Sequence, residues 1–228
     1  MSVAFLVADI RDALRDAADP QRAPGMQAYM KSSMPYRGVS LPDVRKIAKA
    51  AAKAHPLGTL DELQTAVRTL WDAAEFREER YAASELTGLR LATGRLEMLP
   101  LYEHMATTGA WWDHVDAVAH RIADLHDAHP EETAAAVRRW STSDDMWLRR
   151  LAIISQLGRR DRVDTALLTD VIDRNTSDTE FFIRKAIGWS LREYARVDPD
   201  WVRDFVAARD LSGLSRREAL KHVGIPTA

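Results

Sequence analysis

Side chains of similar type recur at a spacing of 35 residues along this chain. Four points of that spacing hold a cation and one holds an apolar residue: Arg45, Arg80, Val115, Arg150 and Lys185. We call these positions the lattice points. Self-similarity with a period of 20–50 residues is typical of repeat architectures, in which each unit buries its apolar face against its neighbours. The period therefore predicts a stack of similar units.

Each repeat has the pattern of two helices. Around the fourth lattice point, Leu148, Leu151, Ala152 and Ser155 follow helical i, i+3, i+4, i+7 spacing. Residues 141–145 supply N-cap types before this helix, and Gly158 predicts its C-cap. Second helices are expected between the lattice helices, at 95–107, 131–140, 163–174 and 199–209. Because no segment alternates as a strand does, we expect an all-α solenoid with a concave groove.

The composition suits one folded domain over residues 1–228. Hydrophobic residues make up 46% and charged residues 29% of the chain, which argues against general disorder. Cysteine is absent, which excludes disulfides and thiolate metal sites and suits a reducing compartment. The apolar run near the N-terminus is soon interrupted by Asp9, Arg11 and Asp12, so no signal peptide or membrane span is predicted. A cytoplasmic location is expected.

The lattice helices place a set of functional side chains on one face. Positions −3, 0, +1 and +4 around a lattice point share a helical face, and the net charge of −2 means that any nucleic-acid site must come from such local clustering. That face holds Trp112, Asp116, Arg150 and Trp189, together with Arg45, Arg80 and Lys185. Recurrent cations suit a phosphate backbone, whereas a carboxylate among aromatic rings suits chemistry. Trp140, Trp147, Phe182 and Trp201 are expected to be core residues.

Several blocks of the sequence resemble a known family. They are Met26–Lys31, Trp111–Asp116 (WWDHVD), Trp147–Arg150 (WLRR), Lys185–Ala195 (KAIGWSLREYA) and Leu214–His222. Together they resemble the AlkD family of HEAT-like-repeat DNA glycosylases over residues 23–223, with 1–22 as a variable N-terminal helix. The resemblance implies a right-handed-type solenoid of HEAT-like repeats.

The resemblance also implies an activity and a site. Enzymes of this family excise cationic N3-alkyladenine and N7-alkylguanine from duplex DNA, without flipping the base. Asp116, Trp112 and Trp189 correspond to the catalytic cluster, and Arg150 and Tyr29 to DNA-binding residues. Arg45, Arg80 and Lys185 are further candidates for phosphate contacts. His114 departs from the family pattern, and we expect it to affect substrate tolerance.

Duplex DNA carrying an alkylated purine is thus the expected partner, bound by a monomer that associates with the nucleoid through DNA. No cofactor or metal is expected, because the spacing of His114, His120, His126 and His129 matches no recognised metal site. Two alternatives stay open from the sequence. One is a non-catalytic repeat scaffold that binds DNA or protein, and the other is a related glycosylase specialised for bulky genotoxin adducts.

Overall fold

The computed structural model describes residues 2–223, which form thirteen α helices and, within that range, no strand. The helices are α1 Ser2–Asp16, α2 Ala23–Met30, α3 Leu41–Ala54, α4 Leu60–Asp72, α5 Arg77–Leu86, α6 Leu99–Gly109, α7 Trp112–Ala128, α8 Pro130–Ser141, α9 Met146–Ile154, α10 Thr165–Asp173, α11 Phe181–Tyr194, α12 Pro199–Ala207 and α13 Gly213–Ala219. Short 3-10 turns lie at Leu96–Met98 and Arg160–Arg162. The all-α prediction is confirmed. None of the described helices is long and apolar enough to cross a membrane.

The predicted pairs of helices are found near their expected positions. The five lattice points lie in α3, α5, α7, α9 and α11, and α6, α8, α10 and α12 occupy the intervening segments. Asp145 caps α9 by accepting hydrogen bonds from the N–H groups of Trp147 and Leu148 at 2.7 and 3.1 Å. The C-cap prediction for Gly158 is wrong, because α9 ends at Ile154 and further turns separate the two. The HEAT-like form of the repeat stays a prediction.

The chain divides into two compact units, Met1–Leu101 (unit 1) and Tyr102–Ala228 (unit 2). In unit 1, α1 packs against α3 and α4, and α5 packs against the same two helices. Leu6, Ile10, Leu70 and Trp71 are completely buried between them, and each such side chain stabilises the fold by roughly 1.5–3 kcal/mol. The prediction of one domain over residues 1–228 stays a prediction.

A buried carboxylate fixes the loop between α2 and α3. Glu78 is completely buried, and it accepts hydrogen bonds from the peptide N–H groups of Arg37, Gly38 and Val39. Gly38 has φ +86°, and a Cβ at this position would lie 2.1 Å from the Asp19 carbonyl oxygen. Only glycine suits this backbone, and the hydrogen bonds to Glu78 hold the segment that follows α2 against α5.

Unit 2 is built around α9. This helix packs against α7 on one side and α11 on the other, while α8 packs against α7 and α9. Trp140 and Trp147 are 1% and 9% exposed, as expected of core residues. Phe182 and Trp201, which were also expected in the core, are only partly buried. Because α9 is central, its side chains can contact both neighbouring lattice helices.

Candidate functional site

Asp116 and Arg150 form a buried ion pair in unit 2. Nε and Nη2 of Arg150 donate to Oδ1 of Asp116 at 2.9 and 2.8 Å, and Nη2 also donates to Oδ2 at 3.0 Å. The Arg150 side chain is 4% exposed and that of Asp116 is 17% exposed. This forked geometry is the strong form of an arginine–carboxylate contact, so the pair joins α7 firmly to α9.

The same guanidinium reaches α11. Nη1 of Arg150 donates to the Phe182 carbonyl oxygen at 2.8 Å, near the start of that helix, and the guanidinium carbon lies 5.9 Å from the centre of the Phe182 ring. Guanidinium carries five N–H donors, and four of them are engaged in these contacts. The structure therefore places Arg150 as a connector of three helices, while its expected contact with a DNA phosphate stays a prediction.

The Asp116 carboxyl has an unusual acidity. Burial raises the pKa of Asp116 to about 6, and the nearby charge of Asp113 acts in the same direction. Arg150 opposes this rise through its charge and its hydrogen bonds without overcoming it. Asp116 is therefore ionised at neutral pH but poised to take up a proton just below it, which is typical of carboxylates that take part in chemistry.

Two indoles expected beside this carboxylate remain partly exposed. Trp112 begins α7 and stands one helical turn before Asp116, so the two share a face of that helix. Trp189 lies in the middle of α11, one turn after Lys185. Neither ring packs against another aromatic ring within residues 2–223. Each therefore keeps surface that a ligand can contact, and their joint position in one groove stays a prediction.

Sequence reasoning missed an aromatic cluster next to the ion pair. Trp111, Trp147 and Phe182 pack together with ring centres 5.1–6.0 Å apart, and Phe181 adds an edge contact with Phe182 at 5.3 Å. Phe181 itself is 57% exposed. The doublet Trp111–Trp112 was the available signal: Trp111 is the extended residue before α7 and Trp112 is the first residue of that helix, so Trp111 enters the cluster while Trp112 stays partly exposed. The cluster contacts the Arg150 guanidinium through Phe182.

The other lattice cations have partners inside their own unit. Lys185 pairs with Glu218 of α13 through Nζ and Oε1 at 2.7 Å, and Arg192 contacts the other oxygen of Glu218. In unit 1, Arg45 pairs with Glu85 at 2.8 Å, and the Arg80 guanidinium lies 5.0 Å from the centre of the Trp71 ring. Burial lowers the pKa of Arg80. The contacts of these cations with DNA phosphates stay predictions. Each cation would have to bind a phosphate in addition to its partner in the protein, or in place of it.

Two further predicted positions differ strongly in exposure. Tyr29, in α2 of unit 1, is 78% exposed and so is available for a contact with DNA. His114 is 1% exposed, inside α7 of unit 2. Any effect of His114 on substrate tolerance would therefore act through packing. Among residues 2–223, no three His, Asp or Glu side chains are grouped as ligands of a metal ion.

Comparisons with known proteins agree with this architecture. A family described as DNA alkylation repair enzyme matches residues 10–223. A predicted DNA alkylation repair enzyme from Enterococcus faecalis superposes with a TM-score of 0.82 at 28% identity, covering 92% of this chain and 98% of that one. The structure of smu.31 from Streptococcus mutans UA159 has a TM-score of 0.62 at 16% identity, covering 81% and 93%, and shares the fold. A search of curated proteins found no match. Because the family match extends over nearly the whole chain, this protein belongs to the family of DNA alkylation repair enzymes.

Proposed function

We propose that the protein is a DNA glycosylase that hydrolyses the N-glycosidic bond of N3-alkyladenine and N7-alkylguanine in duplex DNA. The observation that carries the proposal is the Asp116 carboxylate: it is mostly buried, is held by Arg150 and follows Trp112 by one turn, in a chain of the DNA alkylation repair family. A protein that only binds DNA gains no affinity from a carboxylate in its binding face, because an anion near phosphates repels them.

The proposed substrates need no general acid to protonate the leaving base. A purine alkylated at N3 or N7 is cationic, so the electron pair of the breaking C1′–N9 bond neutralises it, and the free base departs without a proton from the enzyme. Positive charge develops on the deoxyribose instead. Water then adds to C1′ and releases one proton. The task left to the protein is stabilisation of a sugar cation, for which preorganised negative charge is the effective device.

Asp116 is suited to that task. Oδ1 already accepts two hydrogen bonds from Arg150, whereas Oδ2 accepts one. A carboxylate oxygen can accept two, so Oδ2 can also bind the attacking water and receive its proton. Arg150 acts here as a positioning residue that keeps the carboxylate ionised and fixes its direction.

Trp112 and Trp189 are proposed to contact the sugar. Both are partly exposed, and the face of an indole attracts a cation by ~0.5–2 kcal/mol, most strongly when water is excluded. Contacts of this kind strengthen as positive charge develops on the deoxyribose ring and therefore favour the transition state.

DNA recognition is proposed to use a groove of HEAT-like repeats. Arg45, Arg80, Lys185 and the remaining N–H of Arg150 would contact phosphates, and Tyr29 would contact DNA at the edge. Phosphate contacts fix position without reading sequence. Reaction from the backbone side, with the base left stacked, would admit adducts of different sizes because no pocket must enclose the base. Specialisation for bulky adducts is therefore a variant of the same mechanism.

One observation favours the alternative of a non-catalytic scaffold that binds DNA or protein. Arg150 neutralises Asp116, so the site as a whole carries no net charge from this pair. A buried ion pair of this kind can serve packing alone. The two functions differ in whether free base is released.

The deciding experiment is a single-turnover assay on duplex DNA that contains N7-methylguanine or N3-methyladenine, with release of free base measured. We expect release by the wild-type protein, and a rate lower by ~10²–10³ in Asp116→Asn. DNA affinity of this variant should be unchanged or higher, since the substitution removes a negative charge from the DNA-facing side. Single-turnover conditions prevent slow product release from hiding the chemical step.

Asp124→Asn is the matched control, because it makes the same substitution two helical turns further along α7. Its rate should equal that of the wild type. Full activity in Asp116→Asn would remove the carboxylate from the mechanism. No base release by the wild type from either lesion would favour the scaffold, unless a bulky N7 adduct is released under the same conditions.

A further inference from the structure

A cavity lies in unit 2 apart from the Asp116–Arg150 pair. It has a volume of about 440 Å³ and lies between the end of α9, the start of α10 and the second half of α11. Ligand sites in proteins occupy about 300–1,000 Å³, so a small organic molecule fits. Asp116, Arg150 and Trp112 take no part in its walls.

The cavity has an apolar base. Ile153, Leu157 and Leu168 line it and are at most 5% exposed. Val163 and Val197 continue the apolar surface outward, and Val197 is 41% exposed. An aliphatic or aromatic body placed here would be removed from water, which favours binding in proportion to the apolar surface buried. The base therefore selects a ligand with an apolar part.

One side of the cavity is the turn at residues 158–161, whose backbone conformation is typical of anion-binding turns. Gly158 has φ +84°, Arg159 is right-handed with φ −74° and ψ −16°, and Arg160 has φ +56°. Alternation of left- and right-handed residues turns successive peptide N–H groups toward one side and makes a concavity for anions. Within residues 2–223, the N–H groups of Arg160 and Asp161 have no hydrogen-bond acceptor. They are available to a ligand.

The conformation of Arg160 is itself unusual. Left-handed backbone is uncommon for residues other than glycine and asparagine, and strained residues cluster at ligand sites. The Arg160 side chain is exposed and, among the described residues, has no acidic partner. The neighbouring Arg159 and Arg162 are different, because both pair with Asp127. Arg160 thus brings an uncompensated positive charge to the wall.

The opposite wall adds a hydroxyl donor. Tyr194 lines the cavity, and its hydroxyl has no partner within residues 2–223. Burial and the charge of Asp198 raise the pKa of Tyr194, which keeps the hydroxyl protonated at neutral pH. The only other charged groups of the lining, Glu193 and Arg196, pair with each other at 3.4 Å. The net charge of the lining is therefore that of Arg160.

We propose that this cavity binds a small organic anion with an apolar body. The carboxylate or phosphate of the ligand would meet the Arg160 guanidinium and the N–H groups of the turn at 158–161. Its apolar part would lie on Ile153, Leu157 and Leu168, and the Tyr194 hydroxyl would donate to the acidic group or to a neighbouring acceptor. The proposal does not depend on glycosylase activity, since the cavity shares no residue with the Asp116 pair.

The test compares two ligands that have the same ring and opposite charge. Indole-3-acetate and tryptamine are titrated into the full-length protein by calorimetry, with inorganic phosphate as a third ligand. We expect saturable binding of indole-3-acetate with a Kd on the order of 1 mM or tighter, and binding at least about tenfold weaker for tryptamine and for phosphate. Saturable binding of phosphate with the same affinity as indole-3-acetate would show that the apolar base plays no part, and it would overturn the proposal.

Two variants and a control locate the site. Arg160→Asn removes the guanidinium but keeps a residue that tolerates left-handed backbone, and it should weaken indole-3-acetate binding about tenfold. Tyr194→Phe should weaken it severalfold. Arg162→Gln removes an arginine from the same turn that does not line the cavity, and binding should be unchanged. Circular dichroism checks that each variant is folded. Unchanged binding in Arg160→Asn, or absence of saturable wild-type binding, would overturn the proposal whatever the outcome of the base-release assay.

Discussion

Arg150 donates three hydrogen bonds to Asp116 and a fourth to the carbonyl of Phe182. Arg150, on α9, thus links the Asp116 carboxylate of α7 to the backbone at the start of α11, and this link fixes the orientation of the carboxylate. A buried guanidinium group needs hydrogen-bond partners, and this one finds partners for four of its five N–H donors by joining three helices. The orientation of the proposed reacting group is therefore a property of the packing of unit 2, and several measurements follow from it.

The excision rate should depend on pH through Asp116. Its pKa is raised to about 6, and the ionised form is the one that stabilises a sugar cation. The single-turnover rate should therefore be low below about pH 5, half-maximal near pH 6 and constant above about pH 7. No decline on the alkaline side is expected, because a cationic purine needs no general acid. A rate that is constant from pH 5 to 8, measured on N7-methylguanine DNA, would contradict this role.

Removal of Arg150 should shift that profile upward. Arg150 opposes the effect of burial on Asp116, so the pKa of Asp116 rises further when the guanidinium is lost. In Arg150→Gln we expect a higher midpoint and a lower rate at pH 7, with recovery of part of the rate at higher pH. A fall in rate that is equal at every pH would mean that Arg150 acts by another route.

The same variant tests the phosphate contact. If the remaining N–H of Arg150 binds a phosphate, the slope of log K against log salt for duplex binding should be smaller by about 0.9 in Arg150→Gln. We expect this decrease, independently of DNA sequence. An unchanged slope and affinity would confine Arg150 to the positioning of Asp116.

Glu218 should restrain the cations of α11. It pairs with Lys185 and Arg192, and these contacts lower its pKa. In Glu218→Gln, DNA affinity at low salt should rise, with a slope steeper by up to about 0.9 per released cation. The melting temperature should fall at pH 7, and the difference from the wild type should vanish in acid, since the lowered pKa means that this contribution is lost as Glu218 becomes protonated.

Asp170→Asn is the control for that experiment. Asp170 also binds two arginines, Arg138 and Arg174, but it lies on the intervening helix α10. Its loss releases a similar charge away from the lattice helices and should leave the salt slope unchanged. Equal effects of the two variants on DNA binding would show that only net charge matters.

Gly188 should be essential for the contact between α11 and α13. A Cβ at this position would lie 2.4 Å from the Glu218 Cβ and 2.8 Å from the Ser215 carbonyl oxygen. Gly188→Ala should therefore destabilise the protein by about 1–3 kcal/mol, measured by chemical denaturation. Gly25→Ala is the matched control, since Gly25 is also helical and a Cβ there would meet nothing within 4 Å. That change should be neutral or stabilising by up to about 1 kcal/mol.

The sequence pattern predicted the lattice helices and placed both Asp116 and Arg150 among the candidate site residues. The 35-residue period located α3, α5, α7, α9 and α11 because repeated packing requires repeated small and apolar residues. It brought Asp116 and Arg150 to neighbouring positions of adjacent lattice helices. Their direct contact was not foreseen, since a shared face does not reveal whether two side chains turn toward each other or toward a ligand.

The partners of the lattice cations were equally hidden. Lys185 meets Glu218 across 33 positions, and Arg45 meets Glu85 across 40. Such pairs depend on which helices pack together and on side-chain rotamers, and neither has a period in the sequence. The cavity beside Arg160 was missed for a related reason: a left-handed arginine follows no local rule, because the surrounding packing imposes it.

The link from Asp116 through Arg150 to Phe182 also constrains how the length of this chain can vary. A residue inserted or deleted within α9 before Arg150 would rotate the guanidinium by about 100° around the helix axis, and both contacts would break together. The turn at residues 142–145 can change in length without that penalty, as long as a capping side chain still starts α9 at the same place. Among relatives of this protein, length differences should therefore collect in the turns, while the stretch from the cap to Arg150 keeps a constant count of residues.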